Sequence, residues 1–350
     1  MPQKVILSAD STCDLSAALI ERYQVHMYPL HILLEGRQYA DGEISPDALY
    51  EAWWQHKQLP KTSAITPGEY VEYFRQWVED GYQVVHINLG SNLSSAYQNC
   101  CIAAEELGNV YPVDSCNLST GMGLLVIEAA ERIAQGMDGR QIQQEVNALR
   151  PYAHASFVLD TLEFLHAGGR CSSVAMLGAN LLKLKPCIMV DPARNGAMGV
   201  GKKYRGTLDK ALVQYATDQL AGRKDLKLDR VFITHSGMSP ERIEMVKKTV
   251  EQLAGFQEIF VTRAGCTISA HCGPNTLGVL FMTNPEDEPR VKPGKRCYLK
   301  RKYCHFVPEK GTEKQTEQGL TGMKKKMPFL CMPEEILLFL PAVCFLSKLG

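Results

Sequence analysis

One local pattern occurs three times in the first 120 residues and restricts the fold more than any other feature of the chain. In each copy a short apolar run ends in a polar turn with hydroxyl groups, and a helical pattern follows. The turns are residues 8–14, 88–95 and 114–119. Strand, turn and helix in this order form the building unit of an α/β fold. Parallel strands end at one edge of the sheet, where doubly wound folds bind ligands, so we look for a site among these turns.

The second turn, residues 88–95, has the groups best suited to bind a ligand. It follows the apolar run 84–87 and precedes a helical pattern that reaches Leu107. Free backbone N–H groups and the positive end of the helix dipole favour a bound anion, such as a phosphate or a carboxylate. Ser91, Ser94 and Ser95 add hydroxyl donors. The alternative is that one of these serines only caps the helix, and this stretch alone leaves both interpretations open.

The composition excludes several function classes. The chain has 350 residues, 45% of them hydrophobic and 22% charged, which is typical of a soluble globular protein with room for two domains. The 38 lysines and arginines equal the 38 aspartates and glutamates, which argues against general attraction to nucleic acid or to anionic membranes. No apolar run reaches the roughly 18 residues of a membrane-spanning helix. We expect no nucleic-acid partner and no transmembrane segment.

The twelve cysteines do not form a disulfide or metal framework. Apart from the adjacent pair Cys100-Cys101 they are scattered singly, with no CxxC pair and no zinc-type spacing with histidine. The first residues show no signal-peptide layout. We expect a cytoplasmic protein whose reduced thiols mostly fill the core, with no metal site and no cofactor.

Residues 1–150 are expected to form an N-terminal α/β/α domain with a mostly parallel sheet. Its strands are expected at residues 5–7, 26–34, 84–87 and 110–115, and residues 36–42 are expected to be a loop. Thr62 and Ser63 lie in an extended segment just before a helix that begins with Thr66 as its cap. Because the cap is supplied by Thr66, these two hydroxyls have no helical role.

Residues 151–284 are expected to form a second α/β domain. Apolar runs at 186–190 and 199–204 follow each other without a helix between them, which predicts a mixed sheet. A helix is expected at 173–183. The composition shifts from Asn284 onwards, so residues 285–350 are expected to be a linker and a disordered tail.

Two further residues stand out in this half. Arg170 follows the helix-ending pair Gly168-Gly169 and is a candidate site residue. The alternative is that its charge only complements the helix dipole. His271 is expected in a tight turn formed with Gly273 and Pro274, and the alternative is a histidine satisfied in the core or at the surface.

Several catalytic motifs are absent from the sequence. It has no P-loop, no GxGxxG after a strand, no GxSxG elbow and no HExxH. An enzymatic alternative remains, namely an independent serine-dependent hydrolase that acts on a small acyl substrate. Ser94 would be its nucleophile, and His271 or His235 would be its base.

Eight motifs, in this order, resemble the DegV family of bacterial fatty-acid-binding proteins. The matching residues are Asp10-Ser11-Thr12 with Asp14-Leu15, Lys61-Thr62-Ser63, Ser91-Asn92-Leu93-Ser94 with Tyr97-Gln98, Asp114-Ser115 with Ser119 and Gly121, Thr161-Leu162 with Leu165, Gly168-Gly169-Arg170 with Ser172, Leu184-Lys185-Pro186, and His271 with Gly273-Pro274. The resemblance covers about residues 4–283.

The resemblance implies a two-domain α/β protein that holds one long-chain fatty acid in a tunnel between its domains. It implies no catalytic residue in this chain, because a separate ATP-dependent fatty acid kinase subunit phosphorylates the bound carboxylate to an acyl phosphate. It also implies specific roles. Thr62 and Ser94 hold the carboxylate, Ser63, Ser95 and His271 lie near the head group, and Arg170 and Arg205 contact the kinase partner.

The chain departs from the family pattern beside both expected carboxylate ligands. Ala64-Ile65 stands where the family usually has Gln-Pro, and Ser95-Ala96 stands where it usually has Gly-Thr. We expect these changes to alter either the preferred chain length or the coupling to the kinase subunit.

Overall fold

The computed structural model describes residues 4–170 and 184–285. The helix expected at 173–183 and the tail expected from residue 286 onwards lie outside the described residues. All the sheets described below lie within one compact unit of the chain. The division into domains at residue 150 therefore stays a prediction.

The secondary structure alternates between strands and helices. In the first half the elements are β1 (Val5–Asp10), α1 (Ala17–Arg22), β2 (His26–Tyr28), β3 (His31–Leu34), β4 (Arg37–Ala40), α2 (Pro46–His56), β5 (Lys61–Ser63), α3 (Pro67–Glu79), β6 (Gln83–Asn88), α4 (Ala96–Leu107), β7 (Val110–Asp114), α5 (Ser119–Ala134) and α6 (Gly139–Leu149). In the second half they are β8 (Ala153–His154), β9 (Ser156–Val158), α7 (Glu163–Gly168), β10 (Leu184–Asp191), β11 (Ala197–Arg205), α8 (Leu208–Leu220), β12 (Leu226–His235), α9 (Pro240–Leu253), β13 (Glu258–Arg263), α10 (Cys266–Cys272) and β14 (Leu277–Thr283).

The first sheet is parallel throughout, in the order β2-β1-β6-β7. Every residue of β6 is buried, which agrees with a central strand covered on both faces. Helix α3 packs with α4, and α5 packs with α6, and both pairs contact the sheet. The expected capping box forms at the start of α3, where the Thr66 side chain accepts from the Glu69 backbone N–H and the Glu69 carboxylate accepts from the Thr66 N–H.

The second sheet is mixed, in the order β11-β10-β9-β14-β12-β13, with β8 paired to β14. Only β12 and β13 run parallel among its described pairs. Strands β10 and β11 form the expected hairpin. The predicted α/β fold with a parallel first sheet and a mixed second sheet is confirmed.

The expectation of one strand at 26–34 and a loop at 36–42 is wrong. The chain turns at Pro29, which has no N–H for a sheet ladder, so β2 pairs with β1 while β3 joins a separate antiparallel sheet, β4-β3-β5. Glu35 and Gly36 connect β3 to β4 with φ of 50° and 78°. Two positive φ values in a two-residue connection are typical of a type I′ hairpin turn, and this turn returns the chain as β4.

The largest apolar core contains residues from both halves of the chain, including Leu7, Phe74, Phe157, Phe232 and Leu280. Cysteine thiols contribute to the cores, as expected. Among the residues that the structure describes, the buried free cysteines are Cys13, Cys100, Cys116, Cys187, Cys266 and Cys272. Across residues 4–170 and 184–285, no helix has the length and apolar character needed to cross a bilayer.

Candidate functional site

One cavity is lined by residues from both halves of the chain. Five of the predicted site residues line it, namely Thr62, Ser63, Ser94, Arg170 and His271. Most of the remaining wall is apolar and includes Leu30, Leu89, Leu93, Leu118, Leu165 and Ile268. The cavity therefore combines a small set of hydroxyls with a hydrophobic interior.

Thr62 and His271 form the closest polar contact of the cavity wall. Thr62 lies on β5 opposite Ile32 of β3, and its Oγ1 is 2.8 Å from Nε2 of His271. Burial, together with the nearby positive charge of Arg170, lowers the pKa of His271 to about 4. The imidazole is therefore neutral at neutral pH.

The tautomer of this imidazole follows from its surroundings. Nδ1 of His271 is buried without a hydrogen-bond partner among the described residues, and it lies so close to Gly168 that a Cβ there would come within 2.2 Å. A buried N–H without a partner is costly, so we assign the proton to Nε2, which then donates to Thr62 Oγ1. The Thr62 hydroxyl hydrogen remains available to a ligand.

Ser94 both supports the start of α4 and lines the cavity. Its Oγ accepts from the Ala96 N–H at 3.2 Å, so its own hydrogen is free to be donated to a ligand. Ser91 is engaged elsewhere, since its Oγ donates to Asp114 Oδ2 at 2.6 Å. Ser95 is exposed and is not part of the cavity wall.

Two buried carboxylates hold the serine turn in place. Asp10 Oδ2 accepts from the Leu89 N–H at 2.9 Å, and Asp10 Oδ1 accepts from the Tyr70 hydroxyl at 2.7 Å. Asp114 Oδ1 accepts from the Ser91 N–H at 3.0 Å. The acidic residues at the strand ends therefore position the turn within the protein.

Carboxylates from the first half also fix the start of α10, the helix that carries His271. Asp14 Oδ1 accepts from the Gly265 N–H at 2.8 Å, and Asp41 Oδ1 accepts from the Cys266 N–H at 2.8 Å. The expectation that His271 sits in the Gly-Pro turn is wrong. It lies in the last turn of α10, and Gly273 caps the helix with a φ of 73°.

The two predicted arginines are both exposed but differ in position. Arg170 lines the cavity, and its Nη1 donates to the Gly168 carbonyl at 2.7 Å. Arg205 ends β11 and is not part of the cavity wall. The structure thus brings Arg170, and not Arg205, to the site.

A second cavity adjoins the first. Leu118, Ile268 and Cys272 line both cavities. Burial raises the pKa of the Cys272 thiol to about 12, so this side chain is neutral. Phe157 and Leu280 extend the wall of the second cavity. These three shared residues place the two cavities side by side.

Comparison with known proteins decides the family. The sequence profile of a family described as "Uncharacterised protein, DegV family" matches residues 4–284. The chain belongs to the DegV family. Relatives include a DegV domain-containing protein of Deinococcus radiodurans, 31% identical over 278 residues, which are 79% of this chain and 97% of that relative. Another, from Clostridium perfringens, is 29% identical over 283 residues, covering 80% and 98% of the two chains.

Solved structures of DegV proteins share the fold. One from Thermus thermophilus, described by its fatty acid binding, has a TM-score of 0.72 and 28% identity, and covers 80% of this chain and all of its own (100%). The DegV protein of Bacillus subtilis, described as a fatty acid binding protein, has a TM-score of 0.67 and 26% identity, and the match covers 81% and 100% of the two chains.

Among the described residues, no hydrogen bond joins Ser94 to His271 or His235, the two candidate bases of the hydrolase alternative. A nucleophile needs a base that a third group orients. Within the described ranges, Nε2 of His271 contacts Thr62 and Nδ1 has no partner. His235 lines the second cavity, and its Nδ1 accepts from the Met238 N–H at 3.3 Å.

One polar residue of this site, Thr267, was not predicted from the sequence. Thr267 lines the cavity with His271, four positions before it on the same helix. That spacing places two side chains on one helix face. This spacing could have pointed to Thr267 only if residues 266–272 had been predicted to be a helix.

Proposed function

We propose that this protein binds one long-chain fatty acid and presents its carboxylate to a separate ATP-dependent fatty acid kinase subunit. The observation that carries the proposal is the composition of the cavity wall, where Thr62 and Ser94 offer hydroxyl donors inside an otherwise largely apolar lining. The DegV proteins of Thermus thermophilus and Bacillus subtilis, both described as fatty acid binding, support the same ligand class.

Neutral donors suit a carboxylate that must later react. Thr62 and Ser94 each have one hydroxyl hydrogen to donate, and His271 is neutral at neutral pH because burial lowers its pKa. A bidentate arginine would bind more tightly but would occupy both oxygens. An oxygen held by hydroxyls stays usable as a nucleophile toward a phosphoryl group.

The acyl chain supplies most of the affinity in this proposal. Each buried CH₂ contributes about 0.8 kcal/mol, whereas one hydrogen bond to a charged group contributes about 1.5–3 kcal/mol. In this proposal the acyl chain runs from the first cavity past Leu118, Ile268 and Cys272 into the second. The hydroxyls then orient the head group more than they hold the molecule.

The remaining assignments concern the mouth of the cavity and the partner. Ser63 lines the cavity beside Thr62, and we assign it to the surroundings of the carboxylate head group. Ser95 is exposed and outside the cavity wall, and we assign it to the same surroundings on the solvent side. Arg170 and Arg205 are both exposed and are assigned to contact with the kinase subunit. We place the protein in the cytoplasm, where ATP is supplied and where its buried free thiols stay reduced.

Two measurements on delipidated protein test the proposal. Titration with hexadecanoic acid should show saturable binding, and addition of the kinase subunit with ATP should give acyl phosphate, trapped with hydroxylamine. Absence of binding would contradict the ligand class, and binding without acyl phosphate would contradict the role as a presenting subunit. A covalent adduct of an activated-ester probe with Ser94 would instead support the hydrolase alternative.

A further inference from the structure

Thr267 carries a buried hydroxyl that the protein leaves without a partner. The residue is only 3% exposed, and its Oγ1 makes no hydrogen bond within the described residues. It lines the same cavity as Thr62 and Ser94. A buried polar atom without a partner costs about 1–3 kcal/mol, so its retention needs a reason.

Other buried or half-buried threonines of this chain show what is missing at Thr267. The hydroxyls of Thr217 and Thr249 donate to the carbonyls four residues earlier in their helices, at 2.8 and 2.9 Å. Thr267 is the second residue of α10, so the residue four positions earlier belongs to β13 and not to its helix. The usual intrahelical acceptor is therefore absent for this hydroxyl.

The position of Thr267 relative to His271 fits a carboxylate. The two residues are four apart on one helix, which separates them by about 6 Å along the axis at 1.5 Å per residue. Two hydroxyls that bond different oxygens of one carboxylate, each at about 2.7 Å, can be separated by roughly 5–7 Å. A carboxylate beside the Thr62–His271 pair can therefore also accept from Thr267.

The backbone of Thr267 is held firmly enough to make this placement specific. Its N–H donates to Asp41 Oδ2 at 3.3 Å, and the preceding Cys266 N–H donates to Asp41 Oδ1 at 2.8 Å. Asp41 thus fixes the first turn of α10, and with it the direction of the Thr267 side chain.

We propose that Thr267 is a third hydroxyl ligand of the carboxylate and that it selects a carboxylate over an uncharged head group. This inference rests on the proposed fatty-acid binding. Thr62 and Ser94 provide two donors, while a carboxylate has about four acceptor positions. Thr267 supplies a third donor without adding charge. One acceptor position of the carboxylate then remains free to attack the phosphoryl group that the kinase subunit presents.

The test compares Thr267→Val and Thr267→Ser in the full chain, each titrated with hexadecanoic acid and with hexadecanol. Thr267→Val should weaken binding of the acid about 10-fold, because a hydrogen bond to a charged group contributes about 1.5 kcal/mol or more. Binding of the alcohol should change less than about 2-fold, since its single head-group oxygen can be held by Thr62 and Ser94 alone. Thr267→Ser should keep the wild-type preference for the acid.

A second readout separates a ligand role from a structural one. Thr267→Val removes an unpartnered buried hydroxyl, so the melting temperature of the ligand-free protein should stay equal or rise. The control Thr217→Val removes a bonded hydroxyl, so its melting temperature should fall while binding stays unchanged.

Equal affinity of wild type and Thr267→Val for the acid would overturn the inference, as would equal weakening for acid and alcohol. Failure of the wild-type protein to bind the acid at all would instead contradict the proposed function itself.

Discussion

The hydroxyl oxygen of Thr62 and Nε2 of His271 lie 2.8 Å apart, although 209 positions separate the two residues. Their contact depends on a small antiparallel sheet that places β5 and on two carboxylates, Asp14 and Asp41, that fix α10. The site is therefore assembled from both halves of the chain. A substitution that shifts β5 or α10 is therefore expected to alter the contacts of the carboxylate head group of the bound fatty acid.

Replacing Ser94 by alanine should affect phosphorylation more than lipid uptake. Loss of one hydrogen bond to the carboxylate should raise the dissociation constant about 10-fold, while acyl phosphate formation at saturating fatty acid should fall further still, because the remaining acyl-chain contacts hold the lipid without orienting its head group. Asn92→Ala is the matched control, since Asn92 is exposed in the same turn and outside the cavity wall. Equal loss of binding and phosphorylation in Ser94→Ala would contradict the orienting role.

The Thr62–His271 contact should appear as a coupling energy. In a double-mutant cycle of Thr62→Val and His271→Phe, urea unfolding should give a coupling of about 1–2 kcal/mol, the usual range for a hydrogen bond of this kind. Ser63→Ala combined with His271→Phe is the control cycle, because Ser63 lines the same cavity while Thr62 is the residue bonded to His271. The same coupling in both cycles would show that the contact is not specific.

His271 should make stability depend on pH in a defined window. Its pKa is lowered to about 4 in the folded protein, against about 6.5 when unfolded. Between these values the unfolded state binds more protons, so stability falls as the pH falls from about 6.5 towards about 4. From pH 7 to 4.5 the wild type should lose about 2 kcal/mol more than His271→Gln in urea unfolding. Parallel pH profiles would contradict a neutral buried imidazole.

Tyr70 should stabilise the fold through Asp10. Its hydroxyl donates to Asp10 Oδ1 at 2.7 Å and accepts from Asn88 Nδ2 at 3.0 Å, and its side chain is fully buried. Tyr70→Phe should therefore lower the free energy of unfolding by about 2 kcal/mol. Tyr82→Phe, at a half-buried ring beside Lys4, is the control and should cost much less. Equal costs would show that the Asp10 contact contributes little.

Much of the architecture was visible in local sequence signals. The capping box of Thr66 and Glu69 predicted the start of α3, and the three polar turns predicted strand ends of one parallel sheet. The hairpin turn at Glu35-Gly36 was missed because glutamate rarely adopts a positive φ, so only half of the usual turn signal was present.

The site was predictable only in part, because its assembly is long-range. The family resemblance pointed to Thr62, Ser94, Arg170 and His271, and the structure places all four at one cavity. Thr267 was missed because α10 has seven residues, too few for a periodic pattern, and because its start is fixed by Asp14 and Asp41 from more than 220 positions away. Arg205 and Ser95 were expected near the site, but neither lines the cavity.

The lipid content of the protein purified from its own cells tests fatty-acid binding without any added ligand. The protein would be isolated without detergent, denatured, extracted and examined by mass spectrometry against a mock preparation. We expect about one fatty acid for each protein chain, released only on denaturation. Protein that carries no fatty acid, and binds none when hexadecanoic acid is added after delipidation, would contradict it.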